Sequence, residues 1–75
     1  MNERERKTAY AWDHIRQAGS TLAKRGYSLL AGYRELKKMG IVTIDGSLVQ
    51  LTGVYRRAFL SGEDLPSWSS LVSGR

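Results

Sequence analysis

Five basic side chains and a single acid lie between Ser20 and Lys38, and this segment carries the clearest chemical signal in the chain. The basic residues are Lys24, Arg25, Arg34, Lys37 and Lys38. Clustered cations of this kind bind phosphates and release counterions from a nucleic acid. Arg34 is the best candidate for a paired hydrogen bond to guanine. An ordinary solvated helix face would carry similar charges, so that interpretation stands beside the first.

The chain offers little for catalysis. Its one histidine, His14, directly follows Asp13. Neighbouring side chains on a helix diverge by about 100°, so these two cannot act as a pair. No glycine pattern resembles a phosphate loop or a dinucleotide-binding turn, and the scattered carboxylates do not predict a metal cage. We therefore expect no enzymatic activity, no cofactor and no metal.

Composition favours a small intracellular protein with a polyanionic partner. The 75 residues include twelve Lys and Arg against seven Asp and Glu, which gives a net charge of +5. Cysteine is absent, so disulfides and thiolate metal sites are excluded. No apolar run approaches the roughly 20 residues that span a membrane, and the start lacks the apolar region of a signal peptide. We expect a cytoplasmic location and no membrane partner.

The charge and apolar patterns divide the chain into three parts. Residues 1–7 carry five charges and are expected to form a flexible arm. Residues 8–62 are expected to form the folded domain. Residues 63–75 form a tail whose apolar spacing allows one short helix with Pro66 near its start. In this tail Trp68 either seals a small core or docks on a partner, and the seal is favoured.

Helical spacing predicts three further helices. The first begins at Thr8 and is interrupted at Gly19-Ser20; either a short helix then starts near Thr21, or one helix runs unbroken to Arg25. The next is expected over residues 29–39, capped by Ser28, and the last is capped by Thr52 and ends at Gly62. The side chains expected on the core side of these two helices are Leu29, Tyr33, Leu36, Val54, Tyr55, Ala58 and Phe59. Those expected on the outer side are Ala31, Arg34, Lys38, Arg56 and Arg57.

The segment IVTIDGSLVQL predicts a two-stranded hairpin. Its Asp45-Gly46 pair suits a type I′ turn, which would pair Thr43 with Leu48 and Val42 with Val49. This register predicts one apolar face made of Val42, Ile44, Val49 and Leu51. The opposite face would carry Ile41, Thr43, Leu48 and Gln50.

Residues 28–59, SLLAGYRELKKMGIVTIDGSLVQLTGVYRRAF, resemble the winged helix-turn-helix family. The resemblance rests on the Leu-x-x-x-Gly-Ile step of LKKMGI and on a second strand that ends in Leu-Thr before a further helix. It implies a mostly helical α+β fold with a three-helix core, a two-stranded β-hairpin and a C-terminal helix. It also implies that helix 29–39 is a recognition helix in the major groove, with the hairpin beside it as the wing.

On this resemblance the chain is a small DNA-binding regulator of transcription or recombination. A homodimer on double-stranded DNA is compatible with it, because one such module contacts few base pairs. The residues expected to bind nucleic acid are Lys24, Arg25, Ser28, Arg34, Lys37 and Lys38.

The alternative is a small phage- or plasmid-type protein that regulates a host protein, such as RNA polymerase or a nuclease, without reading DNA. Two features favour it: the turn Asp45-Gly46-Ser47 carries no cation, and the predicted recognition helix begins with apolar or small residues. The residues expected to bind such a partner are Arg4, Arg6, Lys7, Leu30, Arg56, Arg57 and Trp68. A third hypothesis, an RNA- or ribosome-associated module, predicts exposed stacking aromatic rings.

Overall fold

A computed structural model describes residues 2–73 of the chain. Its elements, in chain order, are α1 (Glu3–Ala18), β1 (Ser20–Leu22), α2 (Leu30–Lys38), β2 (Val42–Asp45), β3 (Leu48–Leu51), α3 (Gly53–Leu60) and α4 (Trp68–Ser73). The three strands form one antiparallel sheet in the order β1-β3-β2. The fold is therefore α+β, as expected, but the sheet has three strands rather than two.

The first helix begins earlier than the sequence pattern predicted. The Asn2 side chain accepts a hydrogen bond of 2.7 Å from the backbone N–H of Glu5, which is a helix N-cap. Glu3 and Glu5 add negative charge to the first turn, where the helix dipole favours it. Residues 3–7, predicted as a flexible arm, are thus the first turns of α1, and Met1 lies outside the described residues.

Gly19 ends α1, and both predicted continuations of the helix are wrong. The residue has a φ of 79°, and a Cβ there would lie 2.5 Å from the ring of Phe59, so the position requires glycine. Residues 20–22 then form β1, which pairs with β3. No helix follows until α2, so the short helix of the predicted three-helix core is absent from residues 20–29. Pairing with a distant strand has overridden the local helical pattern.

The second helix lies close to its predicted position but starts differently. Leu29 occupies the N-cap position without a side-chain hydrogen bond, so the prediction that Ser28 caps the helix is wrong. Instead the backbone N–H of Leu30 donates to the carbonyl of Tyr27 at 3.1 Å, which closes a turn just before the helix. The residues predicted to face the core, Leu29, Tyr33 and Leu36, do pack in or against it. The residues predicted to face outward, Ala31, Arg34 and Lys38, are exposed.

The hairpin has the predicted faces but a shifted register. Thr43 pairs with Gln50 and Ile44 with Val49, so the loop is Gly46-Ser47 rather than Asp45-Gly46. A type I′ turn is excluded, because no described residue other than glycine has a positive φ. The register differs by two residues, and side chains alternate with a period of two, so each strand residue keeps its predicted face. Ile41 departs from the prediction because it precedes β2 and is buried.

The last two helices pack on different elements, α3 against β3 and α4 against α1. Thr52 precedes α3 in extended conformation, but its side chain makes no capping hydrogen bond, and Val54 is exposed rather than turned inward. Beyond α3 the chain folds back on α1, where the indole N–H of Trp12 donates to the carbonyl of Pro66 at 2.9 Å. Leu65 and Leu71 are buried there, and Trp68 packs against the core.

No helix within residues 2–73 combines the length and the apolar character needed to cross a membrane.

Candidate nucleic-acid interface

A groove of about 690 Å³ opens between the loop after β1, the outer side of α2 and the β2–β3 turn. We call it the basic groove. Its lining residues are Ala23, Lys24, Arg25, Leu30, Arg34, Ile44, Gly46 and Ser47. Three of these are cations and none is a carboxylate. The arrangement therefore presents positive charge from two separate segments of the chain to one space.

Strand β1 is what brings Lys24 and Arg25 to this groove. The strand pairs with β3 so that Leu22 lies opposite Leu48. One residue later, the buried Ala23 donates its backbone N–H to the carbonyl of Ser47 at 2.7 Å. This hydrogen bond ties the loop to the β2–β3 turn. The two cations that follow Ala23 are consequently held beside that turn.

Arg34 reaches the groove because α2 is packed tightly on α1 by its opposite side. Tyr33 and Leu36 are fully buried, and Gly32 lies against the backbone of α1. A Cβ at Gly32 would lie 2.5 Å from the carbonyl oxygen of Lys7, so only glycine allows this approach. With these residues turned inward, Arg34 must point outward. The side of α2 from which Arg34 extends is thus determined by the packing of two helices.

A partly buried polar contact further holds α2 to α1. The hydroxyl of Tyr33 lies 2.8 Å from Nδ1 of His14, and the ring of Tyr27 packs at a tilt 6.2 Å from that of Tyr33. Burial raises the pKa of Tyr33, with Tyr27 adding to the effect. His14 therefore orients a core tyrosine. This contact joins residues far apart in sequence and was not predicted.

Glu35 lies beside Arg34 in sequence, and its charge is matched by two other cations. The Arg4 guanidinium forms a salt bridge with its carboxylate, and Nζ of Lys38 lies 3.5 Å from the same oxygen. The hydrogen bond from Arg4 lowers the pKa of Glu35. Among residues 2–73, Lys24, Arg25 and Arg34 form no salt bridge with a carboxylate, so the cations of the groove remain available to an anion.

The structure brings together three of the six residues predicted to bind nucleic acid. Lys24, Arg25 and Arg34 line the basic groove. Ser28 is exposed in the turn before α2, and Lys37 is exposed on α2 outside the groove lining. The remaining residue, Lys38, is paired with Glu35.

The residues predicted for a protein partner are spread over several surfaces. Arg4 and Trp68 line a separate cavity of about 500 Å³, whereas Leu30 lies in the basic groove. Arg56 lines a third, smaller cavity. The other three also lie on helices: Arg6 is exposed on α1, Lys7 pairs with Glu3 at 3.9 Å, and Arg57 is exposed on α3. They do not form one continuous patch with the groove.

Sequence reasoning missed the role of Ile44, Gly46 and Ser47 in the groove. Ile44 was assigned to the core face of the hairpin, and it is in fact half-buried, packing on the core while also lining the groove. The strand β1 was not predicted from the sequence, and only its pairing with β3 places the hairpin turn against Lys24. A helix-ending glycine followed by the β-branched Thr21 was the available signal for this strand.

Within residues 2–73 no group of three or more His, Cys, Asp or Glu side chains is placed to hold a metal ion.

Comparisons with protein-family models, with curated protein sequences and with solved structures give no match to this chain. The basis for a functional proposal is therefore the basic groove itself.

Proposed function

We propose that the protein binds double-stranded DNA through the basic groove and acts as a small regulator of transcription or recombination. In this proposal the fold is a variant of the winged helix, with α2 as the recognition helix and the β2–β3 hairpin as the wing. The observation that carries the proposal is the convergence of Lys24, Arg25 and Arg34 on one groove whose lining contains no carboxylate.

Charge favours a polyanion as the ligand. The chain carries a net charge of +5, and the cations of the groove are not consumed by salt bridges within residues 2–73. Each phosphate that such a cation neutralises releases about 0.9 counterion from duplex DNA. Three contacts therefore predict a slope of about −3 when the logarithm of affinity is plotted against the logarithm of salt concentration.

The size of α2 suits the major groove. An α-helix with its side chains is about 10–12 Å across, the major groove is about 12 Å wide, and the nine residues of α2 provide more than two turns to lie in it. Arg34 lies at the middle of the helix on its exposed side and can reach the O6 and N7 atoms of a guanine. Lys24 and Arg25 lie to one side of α2, where they would contact phosphates. The turn Gly46-Ser47 can offer the DNA phosphates only its own peptide groups and the hydroxyl of Ser47.

The proposal is tested by charge reversal at matched positions. Binding of a random-sequence DNA duplex pool is measured by fluorescence anisotropy for the wild type and for Arg34→Glu and Arg57→Glu. Both variants change the net charge equally, and both side chains are exposed on helices. We expect Arg34→Glu to lose about tenfold or more in affinity and Arg57→Glu to lose much less. Equal losses in the two variants, or no binding by the wild type, would contradict the proposal.

A second candidate function is regulation of a host protein such as RNA polymerase or a nuclease. It is favoured by Leu22, which is 57% exposed on the edge strand β1 and shares a shallow cavity with Lys24, Arg25 and Tyr27. Large exposed apolar side chains next to a sheet edge are typical of protein-binding surfaces.

Affinity purification from a host lysate, with and without nuclease treatment, distinguishes the two functions. A stoichiometric protein that survives nuclease and is lost in Leu22→Ser would support the second function. Loss of all partners on nuclease treatment would support DNA binding.

A further inference from the structure

Two large apolar side chains lie among the cations of the basic groove. Leu30 comes from the first turn of α2 and Ile44 from β2, and both line the groove while packing against the core. Neither is fully buried. Phosphate binding alone does not account for them, because an anion gains nothing from a hydrocarbon wall and loses hydration beside it. The groove therefore suits a ligand that carries both negative charge and an apolar group.

Duplex DNA has one apolar group that projects into the major groove, the C5-methyl of thymine. Aliphatic side chains contact this methyl, whereas arginine pairs with guanine. On α2, Leu30 precedes Arg34 by four residues, which is about one helical turn and about 6 Å along the axis. Successive base pairs are about 3.4 Å apart. An aliphatic contact at Leu30 and a guanine contact at Arg34 thus correspond to bases no more than about two steps apart.

We propose that Leu30 and Ile44 form a pocket wall for the methyl group of a thymine that lies within two base pairs of the guanine contacted by Arg34. The inference rests on the proposed DNA-binding function and adds the base that the apolar part of the groove selects. It adds specificity for thymine, through Leu30 and Ile44, to the guanine contact of Arg34, while Lys24 and Arg25 contribute mainly affinity. RNA is disfavoured as the ligand, because uracil lacks the methyl and the major groove of an RNA helix is too deep and narrow to admit α2.

The test begins with selection of bound sequences from a pool of random DNA duplexes. The enriched duplex is then resynthesised with uracil in place of each thymine in turn, which removes only the methyl group. Affinities of the wild type, Leu30→Ala and Leu60→Ala are measured by fluorescence anisotropy. Leu60 is a matched control because it is a highly exposed leucine outside the groove lining.

The expected result is a thymine close to the essential guanine, at which uracil weakens wild-type binding about fourfold, as expected for one lost methyl contact. For Leu30→Ala the ratio of the affinity for the thymine duplex to the affinity for the uracil duplex should be close to one. Leu60→Ala should keep the wild-type ratio. The readout is a ratio of two affinities measured on the same protein, so a lower folded fraction in Leu30→Ala cancels. Ile44→Val provides a milder second variant, which should reduce the ratio in part.

Several outcomes would overturn the inference. Binding without any difference between thymine and uracil would do so, as would a difference that persists in Leu30→Ala, or equally tight binding of RNA of the same sequence. In each of these cases the proposed DNA-binding function still stands if Arg34→Glu binds DNA more weakly than the wild type does. If the random pool does not bind at all, or Arg34→Glu has no effect, the proposed function fails as well.

Discussion

At the level of single residues, Gly32 lies directly against the backbone of α1. A methyl group at this position would meet the carbonyl oxygen of Lys7 at 2.5 Å and the Cβ of Ala11 at 2.9 Å. The first of these is a backbone atom, so it cannot move away by a change of rotamer. The orientation of Arg34 depends on this contact, because Arg34 lies on the side of α2 that faces away from α1.

We expect Gly32→Ala to destabilise the protein by about 1–3 kcal/mol through overpacking. Helix propensity alone predicts the opposite sign, since alanine is favoured over glycine inside a helix by about 1 kcal/mol. The free energy of unfolding in urea decides between them. Ala31→Gly is the control: it is exposed, and it should lose about 1 kcal/mol from propensity alone. A stabilised Gly32→Ala would show that the helices do not approach this closely.

At the level of elements, α1 and α2 are also joined at their surface by Arg4 and Glu35. The hydrogen bond from Arg4 is the main reason that the pKa of Glu35 lies below its ordinary value, with Lys38 contributing less. Because folding lowers this pKa, the unfolded chain takes up the proton more readily. The stabilisation is therefore present above the ordinary pKa of 4.5 and is lost as the pH falls through the lowered value.

We predict that Arg4→Gln raises the pKa of Glu35 towards its ordinary value and flattens the loss of stability on acidification. NMR titration of the Glu35 side chain measures the first effect, and urea unfolding at neutral and acidic pH measures the second. Lys38→Gln is the comparison, and it should shift the titration less because its contact is longer, 3.5 Å. A larger shift in Lys38→Gln than in Arg4→Gln would refute this ranking.

At the level of the whole molecule, a chain this short buries only about 60% of its unfolded surface. Each buried side chain therefore contributes an appreciable share of the free energy of folding. Trp12, Ile15, Tyr33 and Leu36 are fully buried at its centre. The core is completed by the tail, where Leu65 and Leu71 are each only 8% exposed. Residues 63–73 therefore pack as part of the folded unit.

We expect Leu71→Ala to destabilise the protein by about 2–4 kcal/mol, since it removes a buried leucine and leaves a cavity. Val72→Ala, at the next position of the same helix, should change stability by less than about 1 kcal/mol because Val72 is 36% exposed. Thermal or urea unfolding of the two variants provides the measurement. Similar stabilities would mean that α4 is not docked on the core in solution.

Local sequence features determined much of the architecture. The outward direction of Arg34 and the apolar face of the hairpin follow from short-range spacing, and both were predicted correctly. An interruption at Gly19 was one of two predicted alternatives, and α1 does end there. The early start of α1 was also a local feature, since Asn2 is a good N-cap followed by acids, but the density of charge suggested an arm instead. In these cases the determining interactions lie within a few residues of each other.

Tertiary structure alone decided the strand β1, the register of the hairpin and the assembly of the basic groove. β1 has three residues and is stabilised by pairing with β3, which lies far along the chain, so the single β-branched residue Thr21 is too weak a local signal to predict it. The hydrogen bond from Ala23 to Ser47 likewise joins distant residues and places Lys24 beside the turn. The sequence by itself therefore specified which cations could bind an anion, and long-range backbone pairing decided which of them meet in one groove.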